Sequence, residues 1–270
     1  MFRFELETQG HTSLLTLDHG KVNEMGRDQL RAFEGLIEVL ESSDVRTLVT
    51  TSRRRTKKGT PIFVGGANVK ERVGWTRDEI AGHVRWQRRT LAALRRLPLF
   101  HVAVVNGLAL GWGTEYLIAC DYRIATPEAV FGLPETGLGI LPGAGGTSEL
   151  SALVGASNAL RLGMTGERIP ASEAERIGLV QEVVEDVDAG IARARAMGEM
   201  VSTKSPTAIA AFKTATLTCL GLPAGERGHI EGKAYEHCLD TGQAKIGRDH
   251  FDAIRAGEDV DWGPRKPFVL

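Results

Sequence analysis

Two glutamates stand where a carboxylate could take part in chemistry. Glu115 follows Gly113 by two residues in GLALGWGTEYLIAC, on the first turn of an otherwise apolar helix, and Glu135 lies in GLPETGLG. Burying a carboxylate inside an apolar helix is costly without a partner, so Glu115 is expected either to face solvent at a helix start or to belong to a site. Two glycine-rich turns accompany them. Gly107, Gly111 and Gly113 precede the Glu115 helix, and Gly65, Gly66 and Ala67 in PIFVGGANVKE precede a helix start at Asn68. Backbone N–H groups at such starts point outward with partial positive charge, and small residues let a substrate come close to them. Two turns that each offer one N–H can grip one carbonyl oxygen. Either turn alone reads as ordinary loop geometry; its combination with the two carboxylates points to a site.

Nucleotide and hydrolase templates fit poorly. The glycines do not give GxGxxG, no GK[ST] ends a phosphate loop, and no GxSxG elbow occurs. Cys120, Cys219 and Cys238 show no CxxC spacing, and the seven histidines form no HExxH, so neither a disulfide framework nor a metal site is expected. The charge balance, 33 Lys and Arg against 34 Asp and Glu, argues against a dedicated nucleic-acid binder. The basic run Arg53, Arg54, Arg55, Lys57 and Lys58 reads as a solvated turn, with a phosphate contact as its functional rival. The N-terminal stretch carries Arg and Glu among its apolar residues and resembles neither signal nor transit peptide, and no apolar run reaches the ~18 residues of a membrane span. A cytoplasmic protein without membrane attachment is expected.

The elements that must position these residues follow from periodicity. Phe2 to Glu7 and Ser13 to Leu17 read as strands, and Leu30, Phe33, Ile37 and Leu40 mark the buried stripe of a helix that starts at Asp28. Thr47 to Thr51 is a further strand. A long helix from Thr76 to Arg96 should bury Ile80, Val84, Leu91 and Leu94. His101 to Val105 and Asp121 to Ala125 are strands on either side of the Glu115 helix, Gly132 to Gly146 is a loop, and almost everything from Thr147 onward reads as helix. With 42% hydrophobic and 25% charged residues, this is an α/β globular core with a helical C-terminal part. A chain of this size buries on the order of 70% of its extended surface, enough for a core without disulfides.

The segment AVVNGLALGWGTEYLIACDYRIATPEAVFGLPETGLGILPGAGGT closely resembles the signature region of the enoyl-CoA hydratase and isomerase, or crotonase, superfamily. FVGGANVKE is similar to that family's F-x-AGAD-x-KE stretch, and TGERIPASEAERIGLVQEVV to its passage from "TG" to "GLV". The resemblance implies a spiral of ββα units with a helical C-terminal trimerisation region, divided here as a core over 1–200 and a helical region over 201–270. It implies an acyl-CoA thioester as substrate, assembly as a homotrimer or homohexamer, and no cofactor beyond the CoA portion of the substrate.

Carried over position by position, the resemblance makes the N–H groups of Ala67 and Trp112 the oxyanion donors and Glu115 with Glu135 the acid/base pair of a 2-enoyl-CoA hydratase. Gly65 and Lys70 are expected against the CoA portion. Members that have lost hydration commonly lack one of the two carboxylates, and both are present here. The alternatives are an enoyl-CoA isomerase, in which Glu135 alone shuttles a proton, and a specialised acyl-CoA hydrolase or decarboxylase; an RNA-binding or scaffold member is more distant. Four positions depart from the family pattern. Trp112 replaces a common Gly, so its indole must turn away from the thioester or fill part of the acyl pocket. Asn68 replaces Asp and is expected to cap the following helix. Ser148-Glu149 stands in place of Gln-Arg.

Overall fold

The structure is a computed structural model that describes residues 4–270. Its strands are β1 (Glu5–Gln9), β2 (Thr12–Leu17), β3 (Thr47–Ser52), β4 (Ile62–Val64), β5 (Phe100–Val105), β6 (Leu108–Leu110), β7 (Tyr122–Ala125), β8 (Val130–Gly132), β9 (Ile169–Pro170) and β10 (Glu182–Val183). The helices are α1 (Arg27–Ser42), α2 (Arg77–Arg96), α3 (Trp112–Ile118), α4 (Leu150–Thr165), α5 (Ala171–Arg176), α6 (Val187–Ser202), α7 (Pro206–Cys219), α8 (Ala224–Asp240), α9 (Gln243–Asp249) and α10 (Phe251–Ala256). The first expected strand starts later than its pattern suggests, and Phe2 lies outside the described residues. The two-residue strands β9 and β10 interrupt the C-terminal stretch that reads as helix, since a pairing this short leaves no alternation to detect.

The chain winds through one repeated step. β3, β5 and β7 enter a six-stranded sheet ordered β1-β2-β3-β5-β7-β10, and each is followed by a strand, β4, β6 or β8, in a second sheet ordered β4-β6-β8-β9. A helix closes each pass: α2, α3 and α4. This is the spiral of ββα units expected from the sequence. Apart from the antiparallel β1–β2 and β8–β9 pairs, neighbouring strands run parallel. Parallel strands are covered on both faces, which is why TLVTTS and HVAVV are β-branched and apolar with little alternation. One face carries the main core, with Leu48, Ala103, Val105, Phe33 and Tyr116; the other packs Val49, Val102 and Val104 beneath α6.

The helices that flank the site have local causes. In α2 the Thr76 hydroxyl accepts from Glu79 N at 3.3 Å, and the Glu79 carboxylate accepts from Thr76 N at 2.7 Å, a reciprocal cap. Its buried face differs from the expected one. Leu91 and Leu94 are buried as anticipated, but Ile80 and Val84 are only half-buried, and His83, Gln87 and Thr90 hold the inward positions. Spacings of four, three, one and three residues place His83, Gln87, Thr90, Leu91 and Leu94 on one helical face. The N-terminal half of that face is therefore polar. The C-terminal helices are tied to the same chain's first units: Lys213 meets Asp121 at 2.6 Å, and the Arg265 guanidinium donates to the carbonyls of Glu41 at 2.7 Å and Ser43 at 3.1 Å.

Candidate active site

β4 and β6 are parallel neighbours with Ile62 opposite Leu108 and Val64 opposite Ala109, so the turns that leave their C-terminal ends start side by side. Their glycines allow near contact of the two backbones. A Cβ on Gly113 would stand 2.4 Å from the Val64 carbonyl oxygen, and one on Gly66, at φ 120°, would stand 3.3 Å from the Leu110 carbonyl oxygen. Neither position accepts a larger residue without moving backbone. In this arrangement the backbone around Ala67 is tied to Met25: Met25 N donates to Gly66 O at 3.0 Å and Asn68 N to Met25 O at 2.8 Å. The N–H groups of Ala67 and Trp112, one on each turn, have no acceptor among the described residues.

The Trp112 side chain turns away from those donors. It is buried in the core, 5.9 Å from the Phe33 ring and 5.7 Å from Tyr116 between ring centroids. Of the two placements open to the indole, the structure shows the one that leaves the turn clear. Asn68 does not cap a helix: its side chain makes no capping hydrogen bond, and the next element is a single 3-10 turn, Val69–Arg72. The first N–H of that turn, on Val69, is taken by the Ala67 carbonyl at 2.9 Å instead. Lys70 is exposed on that turn. Gly65 donates its N–H to Val22 O at 2.8 Å, so its polar contribution to a ligand is limited to its carbonyl. In the basic run, Arg54 pairs with Asp18 at 2.9 Å and donates to the Gly20 carbonyl, and Arg55 donates to Gly59 O at 2.9 Å, the contacts of a closed surface turn.

Glu135 reaches the Gly111 turn, and Glu115 lies on the helix that follows it. Glu115 belongs to α3, which begins at Trp112, and is 4% exposed. Its carboxylate accepts from Ala144 N at 2.6 Å and Gly146 N at 3.0 Å, which resolves the choice posed by the sequence in favour of a buried, partnered group. Glu135 sits on the 3-10 turn Pro134–Leu138 after β8, and one of its carboxylate oxygens would lie 2.5 Å from a Cβ on Gly111. Its other oxygen is buried without a partner among the described residues. The Ala144 and Gly146 donors carry no separate signal in the sequence beyond the glycine content of GAGGT.

Burial pushes the Glu115 carboxyl up from its ordinary value, against the pull of the Gly146 and Ala144 N–H groups and the positive charges of Arg88 and Arg72. Burial likewise pushes Glu135 up, to about 7, with the charge of Glu115 adding to the rise. Hydrogen bonding to the charged form favours ionisation. Glu115 has two external donors and two cations, while Glu135 has only its own turn. Burial thus raises both carboxyls, and the charge of Glu115 acts on Glu135, so the two titrate together. Beyond Glu115 a cavity of about 850 Å³ runs between α2, α3 and α7 toward Phe268, with Leu91, Ile118, Ala144 and Leu217 on its walls. Arg95 and Glu149 also line it and form an ion pair at 2.5 Å, giving the unusual Glu149 a local partner.

Comparison with known proteins adds to this geometry. Residues 13–256 match the family model for enoyl-CoA hydratase/isomerase. YngF of Bacillus subtilis, which carries an enoyl-CoA hydratase/isomerase name, is 37% identical over 247 residues, covering 91% of this chain and 93% of YngF. The short-chain-enoyl-CoA hydratase of Clostridium acetobutylicum is 33% identical over 253 residues, covering 93% and 92% of the two chains. Among solved structures, the enoyl-CoA hydratase of Bacillus anthracis superposes with a TM-score of 0.86 at 30% identity, over 96% of this chain and 98% of that one. DspI of Pseudomonas aeruginosa gives 0.85 at 32% identity over 96% of each.

Proposed function

The chain belongs to the enoyl-CoA hydratase/isomerase family, and from that premise we propose that it is a hydratase, adding water across the 2,3 double bond of a 2-enoyl-CoA thioester. The observation that carries this reading is the pairing of a buried Glu115, held by two backbone donors, with a half-buried Glu135 against Gly111, beside two N–H groups that have no acceptor among the described residues. An isomerase needs one carboxylate to carry a proton between C2 and C4, whereas hydration needs a base for water and an acid for carbon, and an unequal pair supplies both.

The thioester carbonyl accepts from Ala67 N and Trp112 N. Polarised in this way, C3 becomes electrophilic and the enolate that forms is stabilised; loss of one such donor typically costs ~100- to 1,000-fold in rate. Glu115, ionised, takes a proton from water as its oxygen bonds to C3. Glu135, protonated, orients the same water and delivers a proton to C2, so both groups add from one face. The pair ends with its proton exchanged, and solvent resets it. Lys70 and the exposed Arg53 face the CoA phosphates in this reading, and the cavity beyond Glu115 gives room for the acyl chain.

Incubation with crotonyl-CoA and with a 3-enoyl-CoA separates the readings. Loss of the conjugated 2-enoyl absorbance with gain of one water in mass is the expected result. A protein that only moves the double bond of the 3-enoyl ester is an isomerase, and release of free CoA marks a hydrolase.

A further inference from the structure

The Glu115 carboxylate is held through one oxygen. Ala144 N at 2.6 Å and Gly146 N at 3.0 Å both reach Oε1, and Oε2 has no partner among the described residues. The segment that supplies the two donors closes on itself: Thr147 Oγ1 donates to Pro142 O at 2.7 Å and Glu149 N to Gly145 O at 2.9 Å. Those bonds set its shape, and α2 sets its place. Val84, Arg88, Leu91 and Arg95 follow one another at four, three and four residues, so they share one face of that helix. Arg88 Nε donates to Gly143 O at 2.8 Å, and Arg95 pairs with Glu149 at 2.5 Å, so the face grips the segment at both ends. The approach is close enough that a Cβ on Gly143 would stand 2.7 Å from a Val84 methyl.

The Arg88 bond differs from an ordinary surface contact in the carbonyl it takes. Gly143 C=O and Ala144 N–H are the two ends of one planar peptide group. Guanidinium, peptide and carboxylate therefore form a continuous chain, from Arg88 Nε–H to Gly143 O and from Ala144 N–H to Glu115 Oε1. A donor at the carbonyl end polarises the peptide and strengthens the bond that its N–H gives. The charge of Arg88 also favours ionisation of Glu115, as does that of Arg72, while Glu135 and Glu115 oppose each other. The remaining charges on the cavity wall are spoken for or outside: Arg95 pairs with Glu149, Lys213 with Asp121, and Glu41 and Arg96 are exposed.

We propose that Arg88 is a positioning residue for Glu115: it fixes the Gly143–Ala144 peptide so that the carboxylate stays held through Oε1 and presents Oε2 to the attacking water. The inference rests on the hydratase reading for what Oε2 does, and is independent of it for how Glu115 is held. Without Arg88 the charged form of Glu115 loses support, so its proton affinity rises and less of the enzyme carries an ionised base at the acid end.

Arg88 is exposed, so its replacement leaves the core intact. The test measures the pH dependence of kcat/KM on crotonyl-CoA for wild type, Arg88→Met and Arg88→Lys. Beside it, pH-difference infrared spectra are taken in a Glu135→Gln background, where the carboxyl band that Glu115→Gln removes reports Glu115 alone. Arg88→Met is expected to move the acid limb and the infrared titration upward by about 0.5 pH unit, about a threefold loss of kcat/KM below the limb. Arg88→Lys keeps the charge without the planar Nε donor and should fall between. An infrared titration that stays in place in Arg88→Met overturns the proposal, whatever happens to the rate, because it leaves Arg88 only a structural part. A titration that moves in a protein that hydrates nothing upholds the positioning and overturns the hydratase reading.

Discussion

At the residue scale, the proposed hydration rests on two carboxylates that the sequence marks and the structure surrounds differently. Glu135, with a proton affinity raised by burial to about 7, must be protonated to act as the acid. Activity should therefore fall as pH rises through about 7, near tenfold per unit on kcat/KM, and this falling limb should vanish from the residual rate of Glu135→Gln. Stability follows the same group with a definite sign. Its folded-state affinity lies above the ordinary value of 4.5, so the folded protein binds more protons than the unfolded chain between those limits, and the associated stability is present at low pH and lost as pH rises toward about 7. Glu135→Gln should accordingly raise Tm more at pH 8 than at pH 5; a difference that does not depend on pH would mean the carboxyl titrates normally. Both residues are legible in the sequence because a carboxylate in an apolar helix and another in a glycine loop are conspicuous. The division of their roles is not, since it rests on Ala144 and Gly146, whose backbone N–H groups have no residue-type signature.

At the element scale, the two strand-ending turns would form the oxyanion grip of the proposed reaction, and α2 forms one wall of the cavity beside Glu115. The glycine turns are readable because close approach of backbones permits almost no other residue at Gly66 and Gly113. The α2 face is not: periodicity favours Ile80 and Val84, but the inward positions belong to His83 and Gln87 because that half of the helix packs on the segment that follows the Ala67 turn, His83 against Trp75 and Gln87 bonded to Arg72. The uncapped turn after Asn68 and the late strands β9 and β10 escape the sequence for a related reason, as one-turn helices and two-residue pairings follow tertiary context more than local preference. The two turns also respond differently to substitution. Ala67→Pro removes a donor that has no acceptor among the described residues and should cut turnover by ~100-fold or more in a protein that still folds. Trp112 donates through its backbone, so Trp112→Ala keeps the N–H; its indole is 2% exposed in the core, and the change should cost about 3–5 kcal/mol of stability in chemical denaturation. Unchanged stability would place the indole in the substrate pocket.

At the scale of the whole molecule, the spiral is legible as a family resemblance and then as its own logic, with each buried strand leading to a second-sheet strand and a helix. The resemblance also implies assembly, and the C-terminal helices leave Phe212 at 74%, Tyr235 at 69% and Phe251 at 58% exposure, apolar surface that a partner copy would cover. Sedimentation is expected to give about 88 kDa, three chains of 29.2 kDa, or twice that, and a monomer at micromolar concentration would contradict the assembly. The central claim is that this scaffold adds water with two glutamates in separate roles. Crotonyl-CoA turned over in oxygen-18 water tests it most directly. The predicted product is a 3-hydroxyacyl-CoA carrying one labelled oxygen, formed at least ~100-fold more slowly by Glu115→Gln and by Glu135→Gln. Unlabelled product, or label entry at the wild-type rate in either variant, would contradict it.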